Sequence, residues 1–250
     1  MGRTVQYDAY MSPLGGASED GVVETVGEAI KSALESYQRS PVLRMLVKLY
    51  PPLAVAEAGI LGTYSWFQNR RVGLFAEEFT TLGIAFTAED AKRREFFDAY
   101  TATATHVMQE SRDEKIKLFA RLFGQFVKGG CTAPIDRYEE YLQLLDEISE
   151  REFELLLLLH RYEVKNEQII SENRLQQAMN YWPNFTAEAR DRFQIDEGTL
   201  EAMLVRLTRT GMYKEITGTF LGYGGGIGYL TALFVEFKSA LGIGPIPQGN

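Results

Sequence analysis

The sequence predicts a mainly α protein: a helical bundle followed by a smaller α+β module. Three observations carry this. Apolar residues recur at spacings of three and four through most of the first 210 positions, the period of a helix with one buried face. Hydroxyl-x-x-acid patterns stand just ahead of several of these runs, where a side-chain oxygen and a carboxylate can cap the first turn reciprocally. After residue 210 the pattern gives way to β-type residues flanking a glycine-rich stretch. With 250 residues, 45% hydrophobic and 24% charged, the chain can bury a core without disulfides or a metal.

The elements follow in order. Residues 1–18 are polar and turn-rich, and read as an arm that needs a docking surface to become ordered. Ser18 can cap a helix reaching about Arg39, and Ser40-Pro41 has the cap-then-proline order that opens another. Pro51-Pro52 interrupts that helix and restarts it through Gln68, and Arg70 to Phe86 reads as the next, with Leu74, Phe75, Phe79 and Leu82 on one face. Thr87-Ala-Glu-Asp90 predicts a helix to about Gln109, Ser111-Arg-Asp-Glu114 one ending at Gly129-Gly130, and Ser149-Glu-Arg-Glu152 a third. In the second of these, Ile116, Phe119, Phe123 and Phe126 share a face, with Lys115, Lys117 and Arg121 expected to point elsewhere. Tyr138, Tyr141, Leu142, Leu145 and Ile148 mark a further amphipathic helix, and the all-apolar run Leu155 to Leu159 a helix buried on most sides.

The last hundred residues predict helices at 150–162, 164–180 and 196–210, the last with Leu200, Met203, Leu204 and Leu207 inward and Gly211 as its stop. Met212 to Phe220 then reads as a strand, Leu221 to Gly228 as a turn, Tyr229 to Thr231 as the returning strand and Ala232 to Leu241 as a closing helix. Helices, a hairpin and a closing helix give the outline of a winged-helix-like module over 149–241, after a bundle over 19–148 and before a tail at 242–250.

Charge and residue type exclude several functions. The net charge is −8, with 15 basic against 16 acidic residues over 1–130 and 11 against 18 over 131–250. Neither part has the basic surplus of a nucleic-acid footprint, although Arg206, Arg209 and Lys214 are the residues a winged helix would present to phosphates. Basic pairs at Arg70-Arg71 and Lys92-Arg93-Arg94 lie near acids (Glu77 and Glu78; Glu89, Asp90 and Glu95), which predicts solvated helix faces with i,i+3 and i,i+4 pairs. One cysteine, Cys131, and two histidines, His106 and His160, cannot supply a cysteine–histidine zinc cluster. His106 has Glu110 at i+4 and His160 has Glu163 at i+3, yet neither lies in a His-Glu-x-x-His or Glu-x-x-His motif, so both are expected to be structural. There is no Gly-x-Ser-x-Gly, and the glycines at 222, 224, 225, 226 and 228 match no phosphate-binding pattern. No catalytic residue, cofactor or metal is expected, and a cytoplasmic setting is.

Two stretches have membrane-like length. Ile216 to Val235 is uncharged but too rich in glycine and threonine for a good span, and Leu49 to Phe67 carries Glu57 at its centre, which would cost about 2.5–3.5 kcal/mol in lipid. A hairpin and a buried helix are the better readings. The small residues of the second stretch allow close helix approach, which predicts a homo-oligomer with Leu53, Ala56, Gly59, Ile60, Gly62, Trp66 and Phe67 at the contact.

From Asn69 to His160 the order of segments resembles a group of bacterial helical proteins that includes the abortive-infection alpha family. The segments are Asn69-Arg70-Arg71, Arg94-Glu95-Phe96-Phe97, Ser111-Arg-Asp-Glu-Lys115, Leu118-Phe-Ala-Arg-Leu-Phe123, Tyr138-Glu-Glu-Tyr-Leu142 and Leu144-Leu-Asp-Glu-Ile148. The resemblance implies a helical fold with a degenerate winged-helix end and a part in bacterial defence against phage, and it transfers no functional residue. The expected function is that of a non-enzymatic scaffold whose partners are proteins, itself included. A DNA-binding regulator and a membrane-associated helical protein stand as alternatives.

Overall fold

A computed structural model describes residues 62–84, 89–166, 174–217 and 226–244. Eight α-helices and one hairpin order these residues: α1 (Gly62–Thr81), α2 (Arg94–Gln109), α3 (Asp113–Lys128), α4 (Ile135–Glu147), α5 (Glu150–Asn166), α6 (Arg174–Phe193), α7 (Glu197–Arg209), β1 (Tyr213–Glu215), β2 (Gly228–Leu230) and α8 (Ala232–Ala240). The chain is thus mainly helical with a small antiparallel sheet. The expected arm at 1–18 and the helices expected over 19–61 lie outside the described residues.

Several predicted boundaries move. The break expected between Gln68 and Arg70 does not occur: α1 runs through it and stops at Thr81, with Gly83 taking a positive φ of 63°. Two acids at Glu77 and Glu78 and two β-branched residues at its end do not extend it to Phe86. The capping box at Thr87 falls partly outside the described residues, and α2 starts only at Arg94, after a single 3-10 turn over Asp90–Lys92. The box at Ser111 is not formed. Helix α3 begins at Asp113 with Arg112 as its cap residue, and the carboxylate of Glu110, before the helix, accepts from the Ser111 and Arg112 backbone N–H groups at 2.8 and 2.9 Å. The box at Ser149 forms as expected: Ser149 N–H donates to Glu152 Oε2 at 2.9 Å and Glu152 N–H to Ser149 Oγ at 3.2 Å.

Helix α3 ends at Gly129-Gly130 as its sequence predicts. Gly130 and Cys131 both take positive φ, and the Cys131 N–H returns to the Phe126 carbonyl at 3.0 Å, closing the helix end. Helix α6 reaches Phe193, thirteen residues past its expected end, and carries Pro183 in its interior. The first strand ends at Glu215, short of the predicted Phe220, and the second has its predicted three residues one position earlier, with Tyr213 opposite Leu230 and Glu215 opposite Gly228.

One continuous hydrophobic core joins these elements. Its first part is aromatic: Phe75, Phe79, Phe96 and Tyr100 converge on Phe123, with ring centroids 5.3–6.2 Å apart. Gly124 leaves room on α3 for the side chain of Ile84, just after α1, since a Cβ at this position would lie 2.4 Å from the Ile84 Cδ1. Phe237 of α8 bridges to the rest, 5.7 Å from the Tyr141 ring and 6.1 Å from that of Phe153. A third aromatic group, Tyr162, Tyr181, Trp182 and Phe185, holds α6 against α5. Gly228 is required in β2 for a similar reason, because a Cβ would fall 2.2 Å from the buried Tyr213 ring.

Candidate functional site

The densest assembly of ionisable groups lies where α1, α2, α3 and α4 meet. Glu110 ends α2 and is buried. Its carboxylate accepts from Arg112 Nε at 3.0 Å and Nη2 at 2.9 Å, as well as from the two backbone groups described above. Lys115, only 1% exposed, reaches Glu110 Oε2 at 3.3 Å and donates to the Asp146 carbonyl at 3.0 Å, in the last turn of α4 where a cation meets the negative end of the helix. His106 stacks on Phe119 and places Nδ1 3.6 Å from the Asp146 carboxylate. From α1, Arg71 Nη1 donates to the Met108 carbonyl at 2.7 Å, and Arg70 pairs with Asp113.

The electrostatics follow from this packing. Burial alone would raise the Glu110 pKa, but the Arg112 side chain, the Arg112 and Ser111 N–H groups and the Lys115 charge outweigh it and bring it down to about 2. Burial, aided by the neighbouring Arg112 charge, lowers Lys115 against the pull of Glu110. Further along α3, Arg121 is also buried and forms an ion pair with the buried Glu78 of α1, 2.7 Å apart.

These contacts correct the sequence reading at several points. Lys115 and Arg121 do not point away from the core; each turns inward to a carboxylate on another element. Arg70 and Arg71 are not paired with Glu77 and Glu78 along their own helix but tie α1 to α3 and α2. His106 faces Asp146 rather than Glu110, and Glu163 accepts from the Leu230 N–H at 2.9 Å instead of pairing with His160. Lys92–Glu89 at 2.7 Å and Arg94–Asp98 at 3.4 Å are local pairs of the expected kind. A period-based reading could not find the inward charges, because they occupy positions adjacent to apolar ones at the edge of the buried face.

A second group lies in the C-terminal part. Glu152, buried, is held by Ser149 and accepts from Arg206 Nε at 2.8 Å, joining α5 to α7. Arg206, 54% exposed at its side chain, is therefore committed to a carboxylate, whereas Arg209 and Lys214 are exposed at the end of α7 and in β1. The remaining exposed positions of α7 include Glu197, Glu201 and Val205, so its outer face has no basic surplus. His160 stands edge-on to Phe234, and burial followed by the nearby Lys238 lowers its pKa to about 4.

Of the predicted oligomer contact, Leu53, Ala56, Gly59 and Ile60 lie outside the described residues. Gly62 opens α1, and Trp66 and Phe67 fall within its first two turns. No group of three or more His, Cys, Asp or Glu side chains among the described residues is placed to hold a metal ion. Among them, too, no helix is long and apolar enough to cross a membrane. Compared with protein-family models, curated proteins and solved structures, the chain matches none.

Proposed function

We propose that the chain is a non-enzymatic helical interaction protein that acts through protein–protein contacts, in the phage-defence setting implied by its resemblance to the abortive-infection alpha group. The observation that carries the first part is the use made of its ionisable groups. Glu110, Lys115, Arg121, Glu152 and Glu163 are each spent on a tie between elements, which leaves helix faces, rather than a cluster of reactive side chains, as the surface offered to other molecules. Buried ion pairs of this kind specify one arrangement of helices more than they add stability. Challenge of cells with and without the gene by a broad phage panel tests the setting: reduced plaque numbers are expected, and unchanged counts across the panel reject it. Co-purification of a defined partner from those cells tests the interaction itself.

A second reading has one observation in its favour. Helices α5, α6 and α7 followed by the β1–β2 hairpin have the element order of a winged helix, with Arg209 and Lys214 exposed close to each other in sequence. The outer face of α7, with Glu197 and Glu201 against Arg206 and Arg209, has no basic surplus, which weighs against duplex binding. Titration against random duplex DNA at low salt separates the readings, since a salt-dependent complex would favour the regulator.

A further inference from the structure

Helix α6 has an outer face of unusual composition. Between Arg174 and Glu188 it carries no charged side chain, although 24% of the chain is charged. Leu175, Ala178, Tyr181, Trp182, Phe185 and Ala189 turn inward. Gln176, Met179, Asn180, Pro183, Asn184 and Ala187 stand exposed over three turns, with Met179 51% accessible. The outer face of α4 shows what this protein otherwise gives to solvent: Asp136, Glu139, Glu140, Asp146 and Glu147. Exclusion of charge together with an exposed methionine is the signature of an interface core rather than of a solvated helix.

Pro183 gives a second, independent sign. A proline inside a helix is destabilising and removes the N–H from which the carbonyl four residues earlier would accept. That carbonyl belongs to Met179, on the same exposed face. The Met179 carbonyl therefore lacks its usual helical donor, and three side-chain amides, each able to donate and to accept, are exposed on the same face.

The charge distribution selects the occupant. Two copies of a chain with net charge −8 repel through faces such as that of α4, whereas α6 offers them contact without like charges. A basic partner would find its complement on α4 and nothing on α6. Asn180 and Asn184 are one turn apart, so two α6 helices crossing antiparallel about a two-fold axis between these positions set Asn180 of each copy against Asn184 of the other. Self-complementary amides are what an isologous contact needs. We infer that the outer face of α6 is the contact of a two-fold dimer of this chain. The inference rests on the reading as an interaction protein and names one partner for it, a second copy, but makes no use of the phage-defence setting.

Sedimentation of the full chain over about 1–300 µM, a range suited to a contact at the small end of interface sizes, gives the test. The mass is expected to rise from the 28.2 kDa of one chain toward twice that value. Asn180→Glu with Asn184→Glu sets carboxylate against carboxylate and should hold the chain at 28.2 kDa with unchanged far-UV circular dichroism. Asn180→Lys with Asn184→Lys should do the same alone, and mixing the acidic and basic variants should restore the doubled mass, as only a face meeting itself allows. If the acidic pair fails to fold, loss of dimer in the basic pair supports the inference in its place. A wild-type mass of one chain throughout overturns the inference. So does a dimer that survives both double variants, or one abolished by Gly59→Leu instead. A dimer in a protein without effect on any phage would leave this contact standing while removing the defence setting.

Discussion

The α1–α4 junction and the α5–α7 junction are built from the same residue types at different depths. In the first, Glu110 and Lys115 are both buried, and Lys115 has no access to water with which to replace a lost partner. In the second, Glu152 is buried but its partner Arg206 is largely exposed, and Ser149 holds the carboxylate independently. The difference teaches that an ion pair's importance is set by what its removal leaves behind. A stranded buried charge is costly, whereas a stranded surface guanidinium is hydrated.

The largest contrast should come from cutting each tie once. Glu110→Ala leaves Lys115 buried without its carboxylate and should cost about 3–5 kcal/mol in denaturant unfolding. Glu110→Gln combined with Lys115→Met should recover most of that loss. A single variant that unfolds no more easily than wild type would show that Lys115 escapes to solvent.

Acid should separate the two regions next. His160 has its folded pKa lowered to about 4 from an unfolded value of 6.5, so its neutral form favours the fold. That contribution is complete above pH 6.5 and is lost as the pH falls toward 4. Glu110 has its folded pKa lowered to about 2 from 4.5, so its contribution is complete above pH 4.5 and is lost between there and pH 2. The region around His160 and Phe234 should therefore weaken first, seen as earlier loss of amide protection in α8 than in α3. Removing the histidine by His160→Phe should abolish the phase between pH 6.5 and 4 and leave the lower one.

Smaller effects sharpen the comparison. Gly228→Ala forces the buried Tyr213 ring to move and should cost about 1–3 kcal/mol as overpacking. Ser149→Ala removes the cap of α5 and should cost about 1 kcal/mol. Arg206→Ala should change stability by no more than about 1 kcal/mol, since the buried Glu152 that it leaves is still held by the Ser149 N–H and hydroxyl. Were Arg206→Ala as costly as Glu110→Ala, the hydrogen bonds of Ser149 would not be enough to hold the buried Glu152 without its partner.

Much of the architecture was legible in the chain. Period and punctuation marked α4, α5, α7, the returning strand β2 and α8 to within a few residues, because a helix face or a glycine stop is a local property of the sequence. The capping box at Ser149 was readable for that reason, and at Ser111 the carboxylate of Glu110, at the end of α2, takes the Ser111 N–H that Glu114 would have accepted in a box. Local pattern could not weigh one acceptor against another.

What the sequence by itself determined is the succession of helices, the faces they bury and the absence of a basic surplus, all of which depend on neighbours within one or two turns. The tertiary structure decided where the charges go. Lys115 meets Glu110 and Asp146, Arg121 meets Glu78, and Arg206 meets Glu152 across separations of up to 54 residues. A long side chain at the edge of an apolar face can turn either to water or to a partner, and the choice depends on whether another element arrives carrying an acceptor. That arrival is a property of the packed molecule, fixed by the convergence of α1 and α2 on Phe123 of α3, by the packing of Tyr138 of α4 on Phe126, and by the lodging of α8 against α4 and α5 through Phe237.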